Sequence, residues 1–230
     1  MVPAQKNNPL IELLINIIIP SLILMKLSGA QHLGSVGALL LALAFPLVWG
    51  TMDLVKSRKF NIFSALGLVN ILLTGGIGLL ELDTQWLAVK EAAVPGIIGL
   101  VVLASIRTPY PLVKTLLFNP TIIDVDKVQQ HLALRGNVEA FEARLQTGTI
   151  LLSCTFFFSA AMNYLLAKWI VVSPAGTEAF NEELGRLTLL SYPMIALPST
   201  LMMIAVLYYL SRSTRELAGL GFTDILRQSS

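Results

Sequence analysis

Six runs of apolar residues, separated by short polar stretches, dominate the chain, at about 10–27, 33–55, 62–80, 87–105, 147–171 and 188–210. A helix rises about 1.5 Å per residue and the hydrocarbon of a bilayer is ~30 Å thick, so ~20 apolar residues make one crossing. Each run is near that length. Lipid offers no partner for backbone N–H and C=O groups, so a crossing segment must be helical. The pattern predicts an all-α, polytopic integral membrane protein, with six transmembrane helices forming a single membrane domain over residues 1–230.

One longer polar interval breaks the series, at about 107–146. Within it Val125, Val128 and Leu132 recur at i, i+3, i+7, and so do Val138, Phe141 and Leu145. That spacing predicts an amphipathic helical segment between the fourth and fifth spans. Asp124 and Asn137 are suited to N-caps, and Gly136 divides the two runs. The apolar face needs cover, from the bilayer surface or from the bundle. Val128, Leu132 and Phe141 are also the candidate interaction surface for a cytoplasmic or membrane partner.

Composition agrees with the pattern: 55% of residues are hydrophobic and 13% are charged, with a mean hydropathy of +0.73. Ordinary soluble domains carry about 25% charged residues. The first apolar run lacks a small-residue cleavage site and reads as a retained helix. The net charge of +2 matters less than its placement. With six spans, Lys6, Lys56, Arg58, Lys59, Arg107, Lys114, Lys127, Arg135, Arg144, Arg212, Arg215 and Arg227 share one face, which is twelve of the 16 Lys and Arg. The positive-inside bias makes that face cytoplasmic, with both termini and the 107–146 segment on it.

Polar chemistry inside the spans is sparse. Glu91 and Lys90 fall near the outer end of the fourth span, Asp53 near the inner end of the second, and Asn16, Asn70 and Asn163 lie deeper. Ionisable groups near a span end usually snorkel, so Lys90 is expected to reach the outer interface with its long stem, while Glu91, pointing about 100° away, either snorkels to the same interface or turns into the bundle toward Asn70 or Asn163. The asparagines are expected to bond between helices. Pro20, Pro46, Pro95, Pro193 and Pro198 interrupt four spans, and the third is rich in glycine. Ala38 with Ala42, and Ala92 with Gly96, are spaced for close helix approach.

Enzyme patterns are missing. His32 and His131 are the two histidines and Cys154 the single cysteine, so the chain offers no HExxH, no CxxC and no internal disulfide. No phosphate-binding loop, dinucleotide fingerprint or GxSxG occurs. No catalytic, cofactor or metal residues are expected, and nothing suggests nucleic-acid binding.

Several stretches carry a likeness. Trp86 to Lys90 opens a span that closes on Ala104 and Ser105, followed by Pro111, Leu112, Val113, Lys114, Thr115, Leu116 and Leu117. A helix opening near Leu145 leads to Phe156, Phe157 and Phe158, then Asn163 and Tyr164, and a looser match runs from Asn8 to Lys26. In these features the chain resembles the intracellular septation protein A family of bacterial inner membranes. The segment 119–144 is longer than that family's connector, and Leu73–Gly76 together with Leu87–Glu91 points to a sister group of it. The resemblance implies a bacterial inner-membrane protein of the cell envelope, a non-enzymatic scaffold that contacts lipid and other envelope proteins, with homo-oligomers open. The alternative is a small transporter or channel with a site between the third and fourth spans, beside the Pro95 kink. A polar cavity reached by Asn16, Asn70 or Glu91 would favour transport; a dry, tightly packed bundle would favour the scaffold.

Overall fold

The structure is a computed structural model that describes residues 13–57, 62–108, 113, 124–221 and 224, without the side chains of 49, 53–57 and 62–68. Asp53 falls outside the described side chains, and Pro111 and Lys114 outside the described residues. Among the described residues every regular element is helical: α1 (Leu14–Leu27), α2 (Gly34–Ser57), α3 (Ile62–Leu79), α4 (Gln85–Ala104), α5 (Val125–Leu134), α6 (Val138–Ile170) and α7 (Glu178–Ala218). Four of them contain stretches long and apolar enough to cross a membrane: Gly34–Met52, Gln85–Arg107, Val138–Ile170 and Glu178–Ala218. The apolar helical lengths Leu14–Leu27 and Val69–Leu79 are shorter. Large apolar side chains such as Leu40, Leu72, Ile97, Leu100 and Leu201 stand exposed, as expected of a membrane-associated chain whose solvent is lipid.

Two α-helices open into π-turns, Leu14–Ile18 in α1 and Tyr192–Ala196 in α7. Proline explains both. Pro20 and Pro198 cannot donate to the carbonyl four residues back, and their rings crowd it. Inserting one residue into the turn relieves the crowding, and in α1 the Ile19 amide donates to Leu14 instead.

The chain forms two compact units, one from residues 1–92 and 162–195, the other from 93–161 and 196–230. In the first, α1 packs on the opening half of α7 and on α2, and α2 packs on α3. Its core joins Ile23 and Leu24 of α1, Ala38, Leu39 and Ala42 of α2, Leu87 and Ala88 of α4, and Phe180, Leu184 and Leu187 of α7. Ala38 and Ala42 are buried as their spacing predicts. At Gly185 α7 comes close to the backbone of α1, for an added Cβ would lie 2.8 Å from the Ser21 carbonyl oxygen. Buried Asn181 of α7 locks this contact by donating to Ser28 Oγ at 3.0 Å and to the Ser35 carbonyl at 2.7 Å.

In the second unit α5 packs on the last part of α7. Asp124 caps α5 by accepting from the Lys127 amide, and Gly136 closes it at φ +66, with Gly136 N–H bonding Ala133 and Asn137 N–H bonding Leu132. Those two bonds are the Schellman pattern that a left-handed glycine permits. Asn137 does not cap by its side chain; its Nδ2 donates to the Leu217 carbonyl at 2.9 Å. The second amphipathic run is not a separate helix before the fifth span, for Val138 to Ile170 is one helix of 33 residues. Val128, Leu132 and Phe141 are buried with Leu145, Val206, Leu210 and Ala218. The face put forward for docking is therefore already covered within this unit.

Candidate functional site

The first unit contains a cavity of about 320 Å³. It is walled by α1, α2 and α3, the start of α4, the end of α6 and the first half of α7. Four of the six polar residues singled out from the sequence line it: Asn16, Asn70, Glu91 and Asn163. Asn16 is placed by the π-turn of α1, which displaces it from regular α-helical register, and Tyr192 opens the π-turn of α7 at the same cavity.

Lys90 corrects the expectation that it would snorkel. It is 8% exposed, and its ammonium turns inward to donate to Asn70 Oδ1 at 2.9 Å and Thr74 Oγ1 at 2.7 Å. It also pairs with Glu91, Nζ to Oε1, at 2.6 Å. Neighbouring helix positions diverge by about 100°, which argued against a shared partner. The four-carbon lysine stem is long enough to fold its tip back across that angle, so the two residues pair with each other. Leu87 and Ala88 bury the same turn and hold its inner face in the core.

Aliphatic side chains such as Ile17, Leu43 and Leu187 complete the wall, and hydroxyl groups supply its other polar atoms. Thr74 Oγ1 donates to the Asn70 carbonyl at 2.9 Å, Thr188 Oγ1 to the Leu184 carbonyl at 2.9 Å, and Ser191 Oγ to the Leu187 carbonyl at 2.8 Å. A hydroxyl that spends its one proton on its own helix keeps only lone pairs for the cavity. Glu91 is an acceptor as well when ionised. Ser21 also lines the cavity; its Oγ is buried and has no hydrogen-bond partner among the described residues. The wall is thus rich in acceptors, and its one formal charge, on Glu91, is paired with Lys90.

The cavity differs from the place expected for a transport site. Pro95 belongs to the other unit, and α4 contributes Glu91 alone to the lining. Thr74, Thr188, Ser191 and Ser21 were missed in the sequence, although Asn70 with Thr74 at i, i+4 and Thr188 with Ser191 at i, i+3 each mark one helix face. Val128, Leu132 and Phe141 line a separate cleft of about 260 Å³ in the second unit, with Gln129 and Glu142 at its polar edge. Among the described residues no three of His, Cys, Asp or Glu come together to hold a metal ion. No protein-family model, no curated protein and no solved structure matches the chain.

Proposed function

We propose that the chain is a small membrane transporter or channel whose first unit binds a polar solute, of no net charge or cationic, that presents hydrogen-bond donors. One observation carries this: Asn16, Asn70, Glu91 and Asn163, scattered over four apolar helices, line a single acceptor-rich cavity of about 320 Å³. That volume lies at the small end of the ~300–1,000 Å³ typical of ligand sites. Polar groups are costly inside a membrane and usually mark a path or a site. The wider setting we propose is six crossings of a bacterial inner membrane, with both termini cytoplasmic. The envelope-scaffold reading that the septation resemblance implies is the second choice, because its docking face of Val128, Leu132 and Phe141 is occupied within the chain.

The test uses Ser191→Cys in a Cys154→Ser background, in cells and in inverted membrane vesicles. A small cationic thiol reagent is expected to modify Cys at 191 from both sides, faster than its anionic counterpart of similar size. Failure of both reagents from both sides would mean a dry interior and would return the scaffold to first place.

A further inference from the structure

Lys90 Nζ meets three oxygens: Glu91 Oε1, Asn70 Oδ1 and Thr74 Oγ1, at 2.6, 2.9 and 2.7 Å. An ammonium has three N–H donors and no acceptor, so these three oxygens satisfy it completely. One of them is a carboxylate, which balances the charge. Thr74 takes part correctly for this role, since its proton goes to the Asn70 carbonyl and its lone pair faces the ammonium. Neutral and anionic oxygens arranged around one positive centre are also the donor set that hard cations prefer.

We infer that Asn70, Thr74 and Glu91 form an alkali-cation site that the chain fills with its own tethered ammonium. A free ion such as K+ or Na+ would need more than three oxygens. The cavity provides the space, because all three residues line it and water there would complete the shell. Lys90 itself reaches the cage from the α4 side with its apolar stem buried. Because the ammonium is covalently attached, its local concentration is far above that of any bulk ion, so the wild-type cage is indifferent to Na+ and K+. Removing the tether exposes a vacant, negatively charged cage that a small cation neutralises. The inference leans on the solute reading only for the cavity as route and water reservoir. The cage is read by thermal shift and the cavity by labelling at position 191, so the two fail separately.

The experiment compares the purified full chain with Lys90→Ala in LiCl, NaCl, KCl and methylammonium chloride, against choline chloride at the same ionic strength. K90A is expected to melt below wild type in choline and to gain about 4 °C, saturably, in at least one small cation, as binding to the folded state alone requires. Wild type is expected to show no difference among the salts. Adding Glu91→Gln or Asn70→Ala to K90A should abolish the gain. The proposal is overturned if K90A melts equally in all salts, if wild type responds as strongly, or if the gain survives loss of Glu91. Lys90→Gln, which keeps an uncharged polar stem, is read in the same way if K90A does not fold. If neither variant folds in any of the salts, a free cation cannot replace the ammonium, and the proposal falls.

Discussion

At Lys90 and Glu91 two charges sit where the surrounding helices are otherwise apolar, with side chains 7% and 25% exposed. Removing one partner of such a pair strands the other, at a cost of about 3–5 kcal/mol, whereas replacing both with apolar residues of similar volume is often close to neutral. Lys90→Met is therefore expected to lower stability in detergent by about 3 kcal/mol, nearer the lower bound because Glu91 still meets the cavity. Lys90→Met with Glu91→Leu should recover most of that loss. A double-mutant cycle measured by denaturant unfolding checks this, and additive losses would show that the pair is not coupled. Glycine gives a second residue-scale contrast. Gly185→Ala pushes a Cβ to 2.8 Å from the Ser21 carbonyl oxygen, while Gly76→Ala meets nothing within 4 Å. Overpacking against backbone should cost about 1–3 kcal/mol at Gly185. At Gly76 the better helix propensity of alanine should stabilise by up to about 1 kcal/mol. Melting temperatures of the two variants should move in opposite directions.

Among the elements, the end of α6 and the link that follows it are tied to α7 by Glu183. Glu183 accepts from the Val172 and Ser173 amides at 2.9 and 2.8 Å through Oε2, and from Ser173 Oγ at 2.8 Å through Oε1. Hydrogen bonds to a charged group are worth about 1.5–3 kcal/mol each when well buried, and these are partly exposed, so Glu183→Ala should cost about 1–3 kcal/mol in all. Faster hydrogen exchange confined to residues near 172 and 173 would identify the cause; unchanged exchange there would refute it. The element scale also shows what the sequence conveyed. The long apolar runs marked α2, α4, α6 and α7, because an uninterrupted 18-residue apolar stretch has few alternatives to a crossing helix. The i, i+3, i+7 positions correctly identified a buried face at Val128, Leu132 and Phe141, but periodicity does not say what covers it. The fusion of Val138–Leu145 with the fifth span was hidden because the polar residues within that run, Glu139, Glu142 and Arg144, fall on a continuous helix and end nothing. Asn16, Asn70, Glu91 and Asn163 were each visible as polar residues in apolar runs. Their convergence was not, because it depends on helix packing, and Lys90 misled because stem length permits both snorkelling and folding back.

For the whole molecule, the testable statement is orientation. Placing Lys and Arg on the cytoplasmic side is favoured during insertion, and twelve of the 16 fall on one face only if the chain crosses six times. Four crossings, with α1 and α3 left on one side, would redistribute them, so the count of crossings and the charge asymmetry stand together. Two exposed positions discriminate, Gln31 between α1 and α2 and Gln130 on α5. In a Cys154→Ser background, Gln31→Cys is expected to react with a membrane-impermeant thiol reagent added to intact cells, and Gln130→Cys only after the membrane is opened. Both variants leave the cores untouched, so loss of fold does not confuse the outcome. Reaction of Gln130→Cys in intact cells would invert the orientation. Protection of both would place the α1–α2 turn on the cytoplasmic side with α5, which needs α1 not to cross and removes the six-span topology.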